Sequence, residues 1–423
     1  MELQMYVSDK PTEKQMEWAD LELGVLIHCL IGQSFDPEAR KKFNPEHLDT
    51  DQWIRSAVKL GAKYAVLVCK HGTGFTNYPT KANDYSVASW AWKDGKGDIV
   101  ADFLASCKKY GVKPGLYYHL NYNDYYEMRH PDAEMRKTEA YRKYRAVVEM
   151  QVEELWSRYG EVFELWFDSG IIPTEENGPD VYPLLYKYQN DAIMFNGNDH
   201  LKNSIRWVGN EFGYAPENCW STVSFPDRLE NLPPEEFHRL VAGTPDGAYW
   251  HPAETDVPNR DRRAVGGGWN WAPGEKPYCF TPETLRDFYF RSVGRNTNLL
   301  IGMAIAEDGS FEDEDQFEEA GRLIADSFTK PLGKTEIFEN GKAEIVLSKP
   351  EKVKTISIRE DQTNGHGILA WRLLLDGQEV SNGECIGHRR LVSFEESITA
   401  SRITLEVTKQ NKTVLLRDME IFG

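Results

Sequence analysis

Short runs of β-branched and aromatic residues alternate with longer stretches of helical periodicity from the start of the chain to about Phe328. This alternation is typical of repeated βα units around a parallel sheet. The runs with strand character lie at residues 23–28, 64–69, 113–119, 163–168, 192–196, 205–208, 247–250 and 299–302. Clear helical stretches lie at 51–60, 99–110, 139–159 and 313–327. Eight such strands, each followed by a helix or a long loop, predict an α/β fold with a TIM-like (β/α)8 barrel. The alternative is an open doubly wound sheet, whose usual glycine-rich first turn is missing here.

The pattern changes after Lys330, where short runs with period-two alternation replace the βα pattern. Ile403, Leu405 and Val407 face one way, for example, and the polar residues between them face the other. Such alternation predicts a β-sandwich. We therefore expect two domains, a catalytic barrel over residues 1–330 and a β-sandwich over residues 335–423.

The composition and charge of the chain limit the classes of partner that it is expected to bind. The chain has 12 Trp, 20 Tyr and 19 Phe, enough for a large core with aromatic residues left over for a sugar-binding cleft. Its formal charge of -18, from 67 acidic against 49 basic residues, argues against nucleic acid, which requires a concentrated basic face. A neutral substrate is therefore expected.

No sequence feature indicates a metal, a cofactor or membrane insertion. The six cysteines are scattered without metal-ligand spacing, and His28 lacks the second histidine that metal-dependent barrels place two residues later. The glycines at 94–98 fit no phosphate-binding loop. No apolar run approaches about 20 residues, and the N-terminus has no signal-peptide pattern. The expected compartment is periplasmic or extracellular if a leader was removed, and cytoplasmic otherwise.

Polar residues at the carboxyl ends of the barrel strands are the candidates for chemistry, because active sites of this fold lie there. The candidates after the first three strands are His28, His71, Tyr117, Tyr118 and His119. In the fourth strand, alternation places Trp166 and Asp168 on one side, facing inward if Leu165 and Phe167 face the helices. The sequence thus predicts an aromatic floor beside a carboxylate.

A carboxylate nucleophile needs a second carboxyl about 5 Å away to protonate the leaving oxygen. Glu211 follows the sixth predicted strand and Glu254 follows the seventh, so both are candidates on the same rim. Plainer roles stay open at this point. Asp168 could cap a helix or pair with a charged loop residue, and the histidines could be hydrogen-bonded core residues. The glutamates could form structural ion pairs with Arg206, Arg260 or Arg263.

Several motifs occur in order along the chain. They include Gly-Val-Leu-Ile-His at 24–28, Gly-Ala-Lys-Tyr at 61–64, Lys-His at 70–71, Gly-Leu-Tyr-Tyr at 115–118 and Glu-Leu-Trp-Phe-Asp at 164–168. The series resembles the α-L-fucosidases of glycoside hydrolase family 29. Segments 206–211 and 250–257 resemble the subfamily that acts on α-1,3/1,4-linked fucose, and the C-terminal segment is similar to a galactose-binding-like module.

The resemblance implies a retaining double displacement on a fucosylated oligosaccharide or glycoconjugate, without a cofactor. It implies that Asp168 attacks the anomeric carbon and that Glu211 acts as acid and then as base. The implied or candidate sugar contacts are His28, His71, Tyr118, Trp166, Arg206 and Glu254.

Two departures from the family pattern fall in the implied sugar pocket. Gly72 and Thr73 replace a second histidine and an aspartate, and Cys29-Leu30 replaces an aromatic residue and a glycine. A lost hydrogen bond to a sugar hydroxyl relaxes discrimination. The alternatives are therefore a hydrolase of a related α-L-glycoside such as an α-L-galactoside, or a glycan-binding protein that has lost catalysis.

Overall fold

In the computed structural model, which describes residues 6–197, 201–224 and 233–423, parallel strands close into a barrel. The barrel strands are β1 (Leu23–His28), β2 (Tyr64–Lys70), β3 (Lys113–Tyr118), β4 (Glu164–Trp166), β5 (Ile193–Phe195), β6 (Ser204–Trp207), β7 (Ala253–Val257) and β8 (Thr297–Ala304). Each strand pairs with the next one along the chain, and β8 pairs with β1. The predicted TIM-like barrel is confirmed, and its closure excludes the open doubly wound sheet.

Helices surround the barrel. They are α1 (Glu13–Ala19), α2 (Pro37–Arg40), α3 (Thr50–Leu60), α4 (Ile99–Tyr110), α5 (Glu139–Arg158), α6 (Tyr182–Tyr188), α7 (Pro234–Ala242), α8 (Pro282–Ser292) and α9 (Glu314–Asp326). Local chemistry sets their ends. Asp98 accepts a hydrogen bond from the backbone N–H of Ala101 and so caps the first turn of α4, and Gly111, at φ +71°, ends that helix in a left-handed conformation. Among the described helices, none combines the length and apolar character needed to cross a membrane.

Alternation along the strands produces two apolar layers. In β1, Val25 and Ile27 belong to the layer between strands and helices, whereas Leu26 belongs to the cluster inside the barrel. Tyr117 and Trp166 are also members of the inner cluster. Because side chains fill the barrel interior, a substrate can reach these residues only from the strand ends.

The seventh strand is where the prediction was wrong. The run 247–250 contributes Tyr249–Trp250 to a small antiparallel pair with Thr222–Val223, and β7 follows later in the chain. β7 lacks an apolar pattern because it contains Glu254 and Asp256. Both carboxyls are buried and accept hydrogen bonds from tyrosine and tryptophan side chains inside the barrel. Their polarity is satisfied by tertiary partners, which the local pattern does not reveal.

The C-terminal part is the predicted antiparallel β-sandwich. Its strands are β9 (Pro331–Thr335), β10 (Lys342–Glu360), β11 (Ile368–Leu375), β12 (Gln378–Gly383), β13 (Arg390–Gln410) and β14 (Leu416–Phe422). They are hydrogen-bonded in the order β9-β14-β10-β13-β11-β12 around one apolar cluster. Ion pairing joins this unit to the barrel, because the Arg389 guanidinium lies 2.8 Å from the Glu22 carboxylate.

Candidate active site

A cavity of about 1020 Å³ opens at the carboxyl ends of the barrel strands. This is the upper end of the usual range for ligand pockets, so the cavity can accept a sugar together with part of a leaving group. Its lining includes His28, His71, Tyr117, Trp166, Asp168, Glu211, Asp256 and Trp269. The cavity therefore brings together the predicted nucleophile, the predicted acid and four of the six predicted sugar contacts, which are His28, His71, Trp166 and Arg206.

Asp168 lies just beyond the end of β4 with one carboxylate oxygen fixed. The Tyr117 hydroxyl donates to Oδ2 at 2.5 Å, and Nε2 of His119 lies 3.7 Å from the same oxygen. Among the residues that the structure describes, Oδ1 has only a long contact of 3.4 Å with the Ser169 hydroxyl. Such an arrangement orients the carboxylate and leaves one oxygen free to attack.

Electrostatics keep Asp168 ionised. Burial alone would raise its pKa, but nearby histidines and the hydrogen bond from Tyr117 together lower the pKa below its ordinary value. Burial lowers the pKa of His119 to about 3, so this ring is neutral near pH 7. At that pH the Tyr117 hydroxyl is therefore the principal contact that stabilises the carboxylate.

The turn after Asp168 is backbone-strained. Ser169 has φ +60° and Gly170 has φ +68°, and Asn196 after β5 has φ +53°. Ser169, Gly170 and Asn196 all line the cavity. A left-handed backbone at a non-glycine residue costs energy, so it persists only where the surrounding fold holds it in place. Such residues are concentrated at functional sites.

Trp166 forms the floor beside the carboxylate. Its ring stacks on Phe195 with centroids 3.8 Å apart and on Tyr117 at 5.2 Å. The indole N–H donates to Oε1 of Glu254 at 2.9 Å. Because Tyr117 and Phe195 lie on the two neighbouring strands, they cover both faces of the indole, and Trp166 contributes an apolar edge to the cavity beside the Asp168 carboxylate.

Two histidines form another wall. His28 and His71 lie with ring centroids 5.9 Å apart, and the His71 ring stacks on Tyr117 at 5.6 Å. Burial lowers the pKa of His28 to about 3 and also lowers the pKa of His71. Both rings are neutral near pH 7 and can exchange hydrogen bonds with hydroxyl groups.

Glu211 lies in the same cavity, and its pKa is shifted in the opposite direction to that of Asp168. Burial raises its pKa; an ion pair with Arg262 and the indole of Trp269 oppose the rise, and repulsion from Asp168 adds to it. Glu211 is therefore more easily protonated than an ordinary glutamate, whereas Asp168 in the same cavity is less easily protonated than an ordinary aspartate. Such a pair can divide acid and nucleophile roles.

Asp256, which sequence reasoning did not single out, is a third carboxyl on the cavity wall. It accepts a hydrogen bond from the Trp207 indole at 2.7 Å, and burial raises its pKa well above the ordinary value. A neutral carboxyl in this position can donate as well as accept. Strand alternation two residues after Glu254 is the signal that could have placed it on the inner face of β7.

Glu254 lies beneath the cavity floor and does not line the cavity. Its side chain is completely buried, with Oε2 accepting from the Tyr64 hydroxyl at 2.7 Å and Oε1 accepting from Trp166. Burial raises its pKa, and Glu164 lies close enough to titrate together with it. The predicted sugar contact at Glu254 therefore does not fit the structure, because Trp166 lies between its carboxyl and the open space.

Arg206 also differs from the prediction. Its side chain borders the cavity, but its guanidinium donates to four backbone carbonyls, those of Leu240, His251, Trp220 and Val241, at 2.7–3.1 Å. It is 2% exposed. These bonds use four of the five guanidinium N–H groups and tie loops together, so the structure places Arg206 as a link between loops rather than turning its guanidinium towards a sugar.

Tyr118 faces away from the cavity. Its hydroxyl donates to Oε1 of Gln151 on α5 at 2.6 Å, and its ring belongs to the layer between strands and helices. The inward residue is Tyr117, whose backbone pairs with that of Trp166 in the barrel. The predicted contact at Tyr118 is therefore wrong by one residue, which alternation along β3 could have resolved.

Removing the Tyr117 hydroxyl should mainly lower activity, whereas removing the Tyr118 hydroxyl should mainly lower stability. We expect Tyr117→Phe to lower kcat/KM by about 10- to 100-fold, since a hydrogen bond to a charged group contributes about 1.5–3 kcal/mol. Tyr118→Phe should leave kcat/KM nearly unchanged and lower the free energy of unfolding by about 1–3 kcal/mol, because Gln151 loses a buried partner. Steady-state kinetics and urea unfolding of both variants test this. Equal losses of kcat/KM would contradict the assignment.

In the described parts of the chain, no group of three or more His, Cys, Asp or Glu side chains is arranged to hold a metal ion.

Comparison with known proteins gives consistent matches. Residues 9–322 match the family model described as alpha-L-fucosidase. A rice protein assigned as alpha-L-fucosidase 1 is 29% identical over 424 residues, which cover 96% of this chain and 77% of the relative. Alpha-L-fucosidase 1 of Arabidopsis thaliana is 29% identical over 367 residues, which cover 84% of this chain and 65% of the relative. The chain thus spans slightly less than two thirds of the Arabidopsis protein.

Solved structures show the same architecture. A Bacteroides thetaiotaomicron structure assigned as an alpha-L-fucosidase is 30% identical with a TM-score of 0.87, covering 99% of this chain and 100% of that chain. A Ruminococcus gnavus fucosidase of glycoside hydrolase family 29, in complex with fucose, is 20% identical with a TM-score of 0.80. It covers 99% of this chain and 96% of its own, and at that identity the likeness concerns the fold alone.

Proposed function

This chain belongs to the alpha-L-fucosidase family of glycoside hydrolases, and from that premise we propose that it hydrolyses terminal α-L-fucose from fucosylated oligosaccharides or glycoconjugates with retention of configuration. The observation that carries the proposal is the pairing of Asp168 with Glu211. One carboxylate is held ionised by Tyr117, and one carboxyl with a raised pKa lies in the same cavity. That division of protonation states is what a two-step displacement requires.

In the proposed first step, Oδ1 of Asp168 attacks the anomeric carbon. The bond from that carbon to the leaving oxygen breaks, and Glu211 donates its proton to the departing alkoxide. Glu211, now ionised, is stabilised by Arg262. In the second step it accepts a proton from water, whose oxygen attacks the anomeric carbon and releases Asp168. Each step inverts the configuration, so the two together retain it.

The substrate we propose is α-1,3/1,4-linked fucose. Sequence segments 206–211 and 250–257 support this linkage, and they contribute Glu211 and Asp256 to the cavity. A cavity larger than a monosaccharide needs leaves room for a branched leaving group. We also propose residues 1–330 as the catalytic domain and 335–423 as a galactose-binding-like module.

The second candidate glycone, α-L-galactose, carries an additional hydroxyl at C6. It was an alternative because the side chain that the family pattern has at this position is missing at Gly72, which would leave its space for a larger glycone. That space is occupied, because a Cβ atom on Gly72 would lie 2.8 Å from Cδ1 of Tyr122. Gly72 therefore adds no room for the additional hydroxyl, which removes one reason for preferring the larger glycone.

We expect a preference of about 10- to 100-fold in kcat/KM for p-nitrophenyl α-L-fucoside over the matching α-L-galactoside, a usual range for an apolar pocket that rejects one added hydroxyl. Initial rates on both substrates measure the preference. NMR of the first sugar released should show the α-anomer before mutarotation. Equal or reversed rates would overturn the fucose assignment, and release of the β-anomer would overturn retention. Glycan binding without turnover would instead identify a binding protein.

A further inference from the structure

The segment after β3 forms a hairpin, Tyr122–Asn123 paired with Met128–Arg129, that packs over the loop after β2. The backbone N–H of Asp124 donates to the Gly72 carbonyl at 2.8 Å. Buried Lys70 donates from Nζ to the Tyr122 carbonyl. These bonds fix the hairpin against the wall that carries His71.

The hairpin places Tyr122 directly against Gly72. Two ring carbons of Tyr122 lie 2.8 and 2.9 Å from the position of a Cβ atom on Gly72. Any side chain at position 72 would therefore force the ring to move. The Tyr122 ring can therefore occupy this position only because Gly72 has no side chain.

His130, the residue that follows the hairpin, enters the cavity. Its ring centroid lies 5.1 Å from that of Tyr122 and 5.4 Å from that of His119, the ring whose Nε2 approaches Asp168. The backbone N–H of His130 donates to the Asn121 carbonyl at 3.0 Å.

The backbone of His130 is unusual, with φ +44°. A non-glycine residue rarely adopts this conformation unless the surrounding fold imposes it, and such residues cluster at functional sites. The hairpin precedes His130, and Arg136 donates to the carbonyl of Pro131 at 2.8 Å on the other side. The fold therefore holds an imidazole in the cavity, beside the ring of His119, from a loop position in which a glycine would be less strained.

We propose that His130 contacts a hydroxyl of the glycone and contributes to sugar discrimination, and that the Gly72–Tyr122 contact positions it. The inference rests on the proposed function, since it concerns the sugar attacked by Asp168. An imidazole suits this role because its nitrogens can donate to or accept from a hydroxyl group. Tyr122 is a positioning residue, and His130 is the residue that touches the sugar.

The first test is His130→Ala, assayed on p-nitrophenyl α-L-fucoside and α-L-galactoside. We expect kcat/KM for the fucoside to fall about 10- to 100-fold, the usual loss for one hydrogen bond, with a change in the ratio between the two substrates. His130→Asn should retain more activity, because asparagine tolerates left-handed backbone and keeps a polar group. Asn340→Ala is the control, since Asn340 has φ +52° and is exposed on the sandwich.

The second test measures the coupling between Gly72 and Tyr122. Gly72→Ala should lower kcat/KM for the fucoside in the wild-type background and have little further effect in Tyr122→Ala, because the clash is then absent. Thermal melts identify any variant that fails to fold. Additive losses in the double variant would overturn the steric coupling between Gly72 and Tyr122, on which the positioning of His130 depends.

The outcomes also separate this inference from the proposed function. If the wild-type protein hydrolyses the fucoside and His130→Ala is equally active with an unchanged substrate ratio, only the His130 assignment fails. A loss confined to oligosaccharides would place His130 beside the leaving group and overturn the glycone contact. If the wild type hydrolyses no α-L-fucoside, the proposed function fails. Calorimetry with the iminosugar deoxyfuconojirimycin then tests His130 directly. An equal Kd for wild type and His130→Ala, or no binding by either, would overturn the contact.

Discussion

Asp168→Ala should lose turnover of every α-L-fucoside by on the order of 10⁴- to 10⁶-fold, the range seen when a covalent nucleophile is removed. The physical reason is that Asp168 is the ionised carboxylate at the end of β4, fixed by the Tyr117 hydroxyl at 2.5 Å. Without it the proposed fucosyl-enzyme cannot form. Steady-state rates on an aryl fucoside, whose leaving group needs little protonation, provide the most sensitive measurement.

Rescue by azide would show that the activity lost in Asp168→Ala reflects the loss of a nucleophile. A small anion can enter the space vacated in Asp168→Ala and attack the anomeric carbon from the same side, so added azide should restore rate and yield the β-fucosyl azide. Asp315→Ala, which removes an exposed carboxylate on α9, is the control and should be fully active. Undiminished activity in Asp168→Ala would end the assignment.

Glu211→Ala should lower kcat/KM by about 10²- to 10⁴-fold on substrates with poor leaving groups, the usual contribution of general acid catalysis. Aryl fucosides with acidic phenols should be much less affected in the first step, because their departure needs little proton donation. Azide should here give the α-fucosyl azide, since it replaces the water that Glu211 activates on the opposite face. The configuration of the azide product therefore separates the roles of Asp168 and Glu211.

Glu254→Gln is the matched comparison. An amide can replace the buried carboxyl between Tyr64 and Trp166, so any loss should be similar for good and poor leaving groups. Dependence on the leaving group in Glu254→Gln, and its absence in Glu211→Ala, would exchange the two assignments.

The expected pH dependence of kcat/KM follows from the protonation states of Asp168 and Glu211. Glu211 must be protonated to donate, so kcat/KM should fall as pH rises through its pKa, which burial raises above the ordinary value. Asp168 must be ionised to attack, and because its pKa is lowered by the neighbouring histidines and the Tyr117 hydroxyl, the acidic limb should lie at lower pH than for an ordinary aspartate. The alkaline limb should disappear in Glu211→Ala and persist in Tyr118→Phe. An alkaline limb that survives in Glu211→Ala would assign it to another group, for which Asp256 is the candidate.

The prediction of individual contacts was less complete than that of the fold. Tyr118 and Tyr117 have the same chemistry and adjacent positions, and only the side of the strand separates them. Arg206 is as plausible as any arginine for a sugar contact until its four carbonyl partners are seen. His130 lacked any signal, because it lies between the predicted strand at 113–119 and the helical stretch at 139–159, and its left-handed backbone appears only in the structure.

What the sequence by itself determined is the barrel, the sandwich and the position of Asp168 at the end of the fourth strand. Hydrophobic periodicity reports burial of each element directly, and strand ends of a barrel converge whatever their loops do. Only the tertiary structure decided that β7 is the polar segment containing Glu254 and Asp256, and that Glu254 lies under Trp166. A buried carboxyl is stable only through partners distant in sequence, and those partners exist only after the chain has folded.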